Sequence, residues 1–282
     1  HLNLGATVGM LVYGAAISSM SLMVNKPQAY RVLTGAGTVK KVTGESISNY
    51  DLGGAKVHSM HSGDIDVEFD SEEEVLECAR KLIISFSHCN RAKHTVAIEP
   101  DHSADPSVDS NKVVKGFDCD SFLETKADLK GASKLLTGFG SLGGRVVGIS
   151  ASMSNYGLRN SSTLKKLYAS YSGCQEFDVP LILIVRDKWY GIPEGATSDV
   201  MHARAECDKL FPQLTVPRIS IAIGPRSLDV GVHQIADICC YIADGTESDY
   251  DINRANVMAH MQYRNISECL DGISKLISYL SR

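Results

Sequence analysis

Between residues 145 and 224 lie three short runs, RVVGISA (145–151), PLILIVRD (180–187) and PRISIAIG (217–224). Each is rich in Val and Ile and is bounded by Gly, Pro or a charge. A strand with almost no polar alternate positions cannot leave one face in water. Such a run therefore predicts a strand covered on both faces. The sequence between the first two holds a helix signal, NSSTLKKLYASYSGCQEF (160–177), with Asn160 or Ser161 as its N-cap. Buried strands that alternate with helices belong to a parallel sheet in an α/β fold.

Two further segments have the same helical pattern. In SEEEVLECARKLIISF (71–86), Ser71 is placed to cap and three glutamates fill the first turn, which suits the helix dipole. Val75, Leu76, Ala79, Leu82, Ile83 and Phe86 then fall on one face. In RNISECLDGISKLISYL (264–280) the face is Ile266, Cys269, Leu270, Ile273, Leu276 and Ile277. The shared Glu-Cys start and Leu/Ile spacing of these two helices hints at a duplicated architecture. NRAKHTVAIEPDHSADPSVDSN (90–111) is polar, contains two prolines and has no periodicity, so it reads as a linker between two structural units.

Leu4 to Val24 carries no charge over about the length that spans a bilayer. It is rich in Gly, Ala and Ser and lacks a basic start, so we read it as a buried strand and helix of an α/β core. The chain begins with His1, which leaves room for residues upstream. The formal net charge is -5, and with no basic stripe it excludes a nucleic-acid surface. The eight cysteines form no CxxC pair, so they read as reduced thiols of a cytosolic or organellar interior, without a metal set.

One loop carries an unusual mixture. DLGGAKVHSMHSG (51–63) holds three glycines and two histidines, and DIDVEFDSEEE follows at once. Gly53 and Gly54 read as turn or close-packing positions. His58 and His61 invite a metal reading, but no third ligand stands near, so His58 is expected to hydrogen-bond within the fold. Asp64, Asp66, Glu68 and Asp70 read as a solvated charge run.

The order of these motifs resembles the carboxyltransferase (β) subunits of biotin-dependent acyl-CoA carboxylases, of the propionyl-CoA carboxylase type. The resemblance rests on Thr34-Gly35, Val39-Lys40, Thr43-Gly44-Glu45, Leu52-Gly53-Gly54-Ala55, His58 and Ser62-Gly63. It continues in GFDCDSFLETKADLKGASKLLTGFGSLGGRVVGISASMSN, in SSTLKKLYASYSGCQEFDVPLILIVRD and in TVPRISIAI, and stops near residue 240. It implies a crotonase-like ββα spiral present as two incomplete repeats. Residues 1–90 would be the second half of one carboxyltransferase-like domain and 91–111 a linker. Residues 112–248 would begin a second such domain, and 249–282 would form a helical tail. Incomplete domains leave sheet edges and apolar faces bare, so the missing halves either lie outside this sequence or come from another polypeptide; the expectation is other protein subunits, one of them supplying the missing half-domains.

The family's chemistry moves a carboxyl group between biotin and an acyl-CoA, with backbone N–H pairs stabilising two oxyanions. No cofactor is expected to be covalently bound; acyl-CoA and partner-borne biotin would serve an active chain. By resemblance Gly9 and Met10 stand at the acyl-CoA oxyanion position, with Met10 in place of a glycine. Leu228 and Asp229 stand where the biotin-side glycines belong, and a carboxylate there opposes an anion. Gly191, Pro193 and Gly195 keep a substrate-binding loop in which Lys188-Trp189-Tyr190 is altered; Gly53, Gly54 and His58 fall at further substrate-side positions. The expectation is a catalytically degenerate subunit that is a structural component of a larger assembly; the alternative is an active carboxyltransferase. A Ser or Cys hydrolase finds no nucleophile elbow here. Propionyl-type relatives of eukaryotes imply the mitochondrial matrix, the cytoplasm being the other compartment.

Overall fold

The computed structural model of the chain describes residues 1–87, 110–118, 121–152, 160–186, 197–229, 233 and 235–280. The linker read at 90–111 lies almost wholly outside them. Two compact units result, one of residues 1–84 with 125–133, the other of 85–124 with 134–282.

The first unit is a spiral of short strands and helices. It runs β1 (Leu2–Asn3), β2 (Ala6–Val8), α1 (Leu11–Ala16), β3 (Leu22–Val24), β4 (Tyr30–Val32), α2 (Ala36–Thr43), α3 (Asn49–Gly53) and α4 (Ala55–Val57). A π-turn (His58–Ser62) and β5 (Val67–Phe69) follow, and α5 (Glu72–Ser87) then begins. Strands two apart in sequence pair in parallel: β1, β3 and β5 form one sheet in that order, while β2 and β4 form another. This is the ββα progression the sequence implies. The segment 4–24, read as a strand and helix, holds β2, α1 and β3. Only the last is fully buried; Met10, Leu11 and Ile17 around α1 are exposed. At α5 the expected cap is present: the Glu74 amide donates to Ser71 Oγ at 3.2 Å and the Ser71 amide to Glu74 Oε2 at 3.1 Å.

The second unit is built on a seven-stranded sheet. Its strands are β6 (Leu123–Glu124), β7 (Leu135–Leu142), β8 (Arg145–Ser152), β9 (Leu181–Val185), β10 (Arg218–Ile223), β11 (Ile238–Ile242) and β12 (Met261–Tyr263), neighbours in that order. From β8 to β12 all pairs are parallel, as the apolar runs predict. β8 also pairs antiparallel with β7, so the sheet is mixed. The β7–β8 turn is Gly143-Gly144, both at positive φ, which a two-residue hairpin of this hand requires. Asp118 fixes that turn by accepting from the amides of Gly143 (3.1 Å) and Gly144 (2.7 Å).

Helices cover both sheet faces. Ile149, Ile182, Ile184, Ile219 and Ile221 pack with Val113 of α6 (Ser110–Lys115) and with Ile266, Leu270 and Ile273 of α10 (Ile266–Leu280). On the other face lies α7 (Ser161–Phe177), so close that a Cβ on Gly148 would stand 2.2 Å from Cys174 Sγ. Asn160 caps α7 through the Thr163 amide at 2.8 Å. α8 (Ser198–Leu210) packs on α7. Residues 249–280, read as a helical tail, add β12 to the sheet as well as α9 (Asp249–Met258) and α10.

Candidate functional site

In the first unit, β4 gathers the residues that sequence reasoning singled out. Gly9, at φ +66°, donates its amide to the Val32 carbonyl at 3.0 Å. Met10 follows as the start of α1, with its side chain 80% exposed. Gly53 lies against Arg31: a Cβ there would come within 2.2 Å of the Arg31 carbonyl and 2.6 Å of Val32 Cγ1. Gly54 lies against Tyr50, whose carbonyl would be 2.6 Å from an added Cβ. Both glycines thus admit close backbone packing, and the space beside each is filled by the protein itself.

His58 is wired into the same strand. Its Nε2 faces the Arg31 carbonyl at 2.9 Å and therefore carries a proton; its Nδ1 lies 3.0 Å from Ser62 Oγ and 3.5 Å from Asp64 Oδ2. The hydrogen bond from His58 is the main reason that the Asp64 carboxyl is drawn down to about 2. The ring is thus used within the fold, and His61 meets Lys130 Nζ at 3.3 Å.

The acidic run is not uniformly solvated, which corrects the expectation for Asp66. Its Oδ1 lies 3.0 Å from Lys126 Nζ, the two side chains being 13% and 9% exposed, and its Oδ2 accepts from the Ser21 amide at 2.8 Å. Lys126 Nζ also donates to the Gly63 carbonyl and its amide to the Asp66 carbonyl at 2.7 Å. Beside them Arg31 is 2% exposed, donating from Nη2 to Ser21 Oγ at 2.7 Å, while its Nε has no partner among the described residues. Burial lowers the Arg31 pKa, and Asp64 and Asp66 oppose that shift. Sequence reasoning missed Arg31 and Lys126. The one available signal was a lone arginine inside the otherwise apolar strand YRVL.

In the second unit, Leu228 stands in a 3₁₀ turn (Pro225–Asp229) that follows β10. Its side chain is buried against Ala222, Tyr241 and Ala255. Gly224 opens the turn at φ +73°, and an added Cβ would meet Asp244 Oδ2 at 2.2 Å. Asp229 closes it. Gly191, Pro193 and Gly195 lie outside the described residues, as does the loop 187–196 around them.

One polar cluster near this turn was not anticipated. Ser220 Oγ lies 2.9 Å from His233 Nδ1, and Cys239 Sγ donates to the His233 carbonyl at 2.6 Å. His233 Nε2 is buried without a partner among the described residues. Burial, helped by His260, takes the His233 pKa down to about 4, and burial pushes the Cys239 thiol up to about 11. Neither group is poised as a nucleophile near neutral pH: the thiol stays protonated and the pair is closed to solvent. The same holds for Cys207, pushed up to about 12. Among the described residues no group of three His, Cys, Asp or Glu could hold a metal ion, and no helix is long and apolar enough to cross a membrane.

The profile of the carboxyl transferase domain family matches residues 2–225. Among curated proteins, the methylmalonyl-CoA carboxyltransferase 12S subunit of Propionibacterium freudenreichii subsp. shermanii is 26% identical over 238 residues, covering 78% of this chain and 44% of its own length. The propionyl-CoA carboxylase beta chain of Rhodococcus erythropolis is 28% identical over 236 residues, covering 77% of this chain and 48% of its own. The chain thus spans about half the length of the curated relatives it matches. Among solved structures, the transcarboxylase 12S hexamer with methylmalonyl-coenzyme A superposes with a TM-score of 0.73 at 18% identity, covering 99% of this chain and 65% of that one. A single-chain, multi-domain long-chain acyl-CoA carboxylase gives 0.75 at 13% identity, covering 99% and 33%. These likenesses establish the crotonase-like fold.

Proposed function

Since the chain belongs to the carboxyl transferase domain family, we propose that it is a carboxyltransferase-type subunit of a larger acyl-CoA carboxylase assembly in which its own part is structural rather than catalytic. The observation that carries the reading is Leu228. By the resemblance, and just beyond the residues that the family profile matches, Leu228 stands where the biotin-side glycines belong, and its side chain is buried in its own cluster. An oxyanion cradle needs backbone N–H groups open to a ligand. A 3₁₀ turn packed from within by Leu228, and closed by an aspartate in sequence, does not suit the anionic ureido oxygen of a partner-borne biotin.

A second reading, an active carboxyltransferase, draws support from the first unit. Gly9 keeps its positive φ, and no carbonyl among the described residues accepts the Met10 amide. An acyl thioester oxygen could be met there by that amide, with the exposed Met10 side chain displaced.

Titration calorimetry with propionyl-CoA and methylmalonyl-CoA separates the two, run on the chain alone and on the assembly purified through it. We expect carboxyltransferase-type and biotin-carrying subunits in the assembly and no saturable acyl-CoA binding by this chain alone at about millimolar ligand, a level that weak specific binding would reveal. Saturable binding by the isolated chain, with carboxyl transfer when free biotin is added, would overturn the structural reading in favour of the active one. By the same family resemblance, a eukaryotic source would place the chain in the mitochondrial matrix, which cell fractionation checks.

A further inference from the structure

We propose that Cys240 and Cys269 are a redox-modifiable pair, which a low-molecular-weight disulfide oxidises to an intramolecular disulfide that fastens α10 to β11.

Cys240 lies in β11 and Cys269 near the start of α10. The two thiols share a hydrogen bond, and both are wholly buried in one apolar cluster with Ile221, Ile242, Leu270 and Ile273. Tyr263 of β12 packs against the same cluster, with its hydroxyl donating to Met261 Sδ at 3.3 Å. Sulfurs in contact across two elements meet the first requirement of a disulfide, which is that the two side chains already face each other. The other buried thiols described here have different neighbours. Cys239, on the opposite face of β11, donates to the His233 carbonyl at 2.6 Å, Cys207 donates to the Leu164 carbonyl at 3.4 Å, and Cys174 packs against Gly148.

The pair is silent while the fold is closed, because only a thiolate attacks a disulfide. Burial, then the hydrogen bond from Cys240 and the nearby Glu268 charge, holds the Cys269 thiol well above its ordinary range. Neither sulfur has surface for an oxidant to reach, so opening must come before oxidation. The two elements differ in how readily they open. β11 is hydrogen-bonded on both sides, with Cys240 opposite Ile221 of β10 and Met261 of β12. α10 closes its backbone bonds within itself, so it lifts from the sheet without breaking a ladder.

With α10 lifted, oxidation is a thiol–disulfide exchange with glutathione disulfide. The Cys269 thiolate attacks one glutathione sulfur; the oxidant's S–S bond breaks, and one glutathione leaves and takes up the proton that Cys269 gave. As α10 settles back, Cys240 Sγ attacks Cys269 Sγ. Their S–S bond forms, and the second glutathione leaves with the Cys240 proton. Two protein thiols lose two electrons in all, and one glutathione disulfide becomes two glutathiones. The new bond ties helix to strand and suppresses later opening.

The test treats the full chain with glutathione disulfide at several urea concentrations below its unfolding transition. Remaining thiols are then alkylated and the peptides mapped without reduction. We expect one linked pair, Cys240 with Cys269, formed at a rate that rises with urea in step with hydrogen exchange in α10. The Cys269 amide, bonded to the Asn265 carbonyl at 3.1 Å, is one reporter of that exchange. In the linked chain its exchange should slow by about a hundredfold, and dithiothreitol should restore the original rate. In Cys240→Ala the reaction should stop at a mixed disulfide on Cys269; if that variant does not fold, the urea series on the unaltered chain decides. Four results would each overturn the proposal: persistent glutathione adducts on the unaltered chain, no linkage while α10 exchanges freely, linkage to any other cysteine, or a linked chain whose α10 exchanges as fast as before.

Discussion

Replacing Lys126 by Met tests whether the buried ion pair holds the segment 125–133 in the first unit. The ammonium sits 3.0 Å from Asp66 Oδ1, with the two side chains 9% and 13% exposed. Removing one partner of such a pair leaves a buried charge and costs about 3–5 kcal/mol. Two features reduce the loss here: Asp66 keeps the Ser21 amide at 2.8 Å, and Arg31 stands near enough to feel its charge. The lower end, about 3 kcal/mol, is therefore expected, or about two decades in a local opening constant. Amide hydrogen exchange reads it directly at the Lys126 and Lys130 amides, which bond to the Asp66 and Met60 carbonyls. The control is Lys81→Met, which removes a pair to Glu77 whose members are 72% and 64% exposed. Losing that solvent-screened pair should leave exchange at the two amides close to that of the unaltered chain. If Lys126→Met speeds exchange by no more than the control does, the buried pair is not what fixes the segment, and the account of this network is wrong.

Two more outcomes follow from the second unit. His233 is held neutral in the fold at a pKa of about 4 against 6.5 unfolded, so the unfolded chain binds more protons between those values. Its contribution is fully present above pH 6.5 and is lost as pH falls toward 4; denaturant melts from pH 7 to 4.5 should show this slope, and His233→Gln should flatten it. Leu228→Ala should lower stability by about 2–4 kcal/mol because the side chain is buried among Ala222, Tyr241 and Ala255, whereas Met10→Ala on the exposed start of α1 should stay within about 0.5 kcal/mol. Equal effects in urea melts would mean that Leu228 is not the packed residue described.

What could be read in the sequence was what local physics fixes. Asn160 and Ser71 announce helix starts because a capping side chain must lie within three residues of the amide it satisfies. The Val/Ile runs announce β8, β9 and β10 because burial on both faces leaves no room for polar alternation. Gly143-Gly144 between two apolar runs was a hairpin signal of the same local kind, and it would have revealed the antiparallel β7–β8 pair. Contacts across the chain were hidden. Asp66 meets Lys126 across sixty residues, and nothing in DIDVEFD says which carboxylate takes the buried lysine. The glycines at 53 and 54 were rightly read as close-packing positions, but that their neighbours would be Arg31 and Tyr50 required the fold.

Under the proposed reading, the two positions assigned to the oxyanion cradles, Met10 and Leu228, differ in kind, and that difference constrains what the chain could still do. Met10 is a side-chain change only. The backbone around it keeps the positive φ of Gly9, and the methionine lies in water, free to move aside. Leu228 is a change of packing. Its side chain supports Tyr241 and Ala255, so opening a cradle there means giving up part of the second unit's own core. A side chain in solvent can be displaced by a ligand's binding energy, whereas a buried leucine resists with the several kcal/mol of its own burial. Any chemistry that survives in this chain should therefore lie on the acyl-CoA side. Under the proposed reading, biotin-dependent transfer would need its second cradle from another subunit.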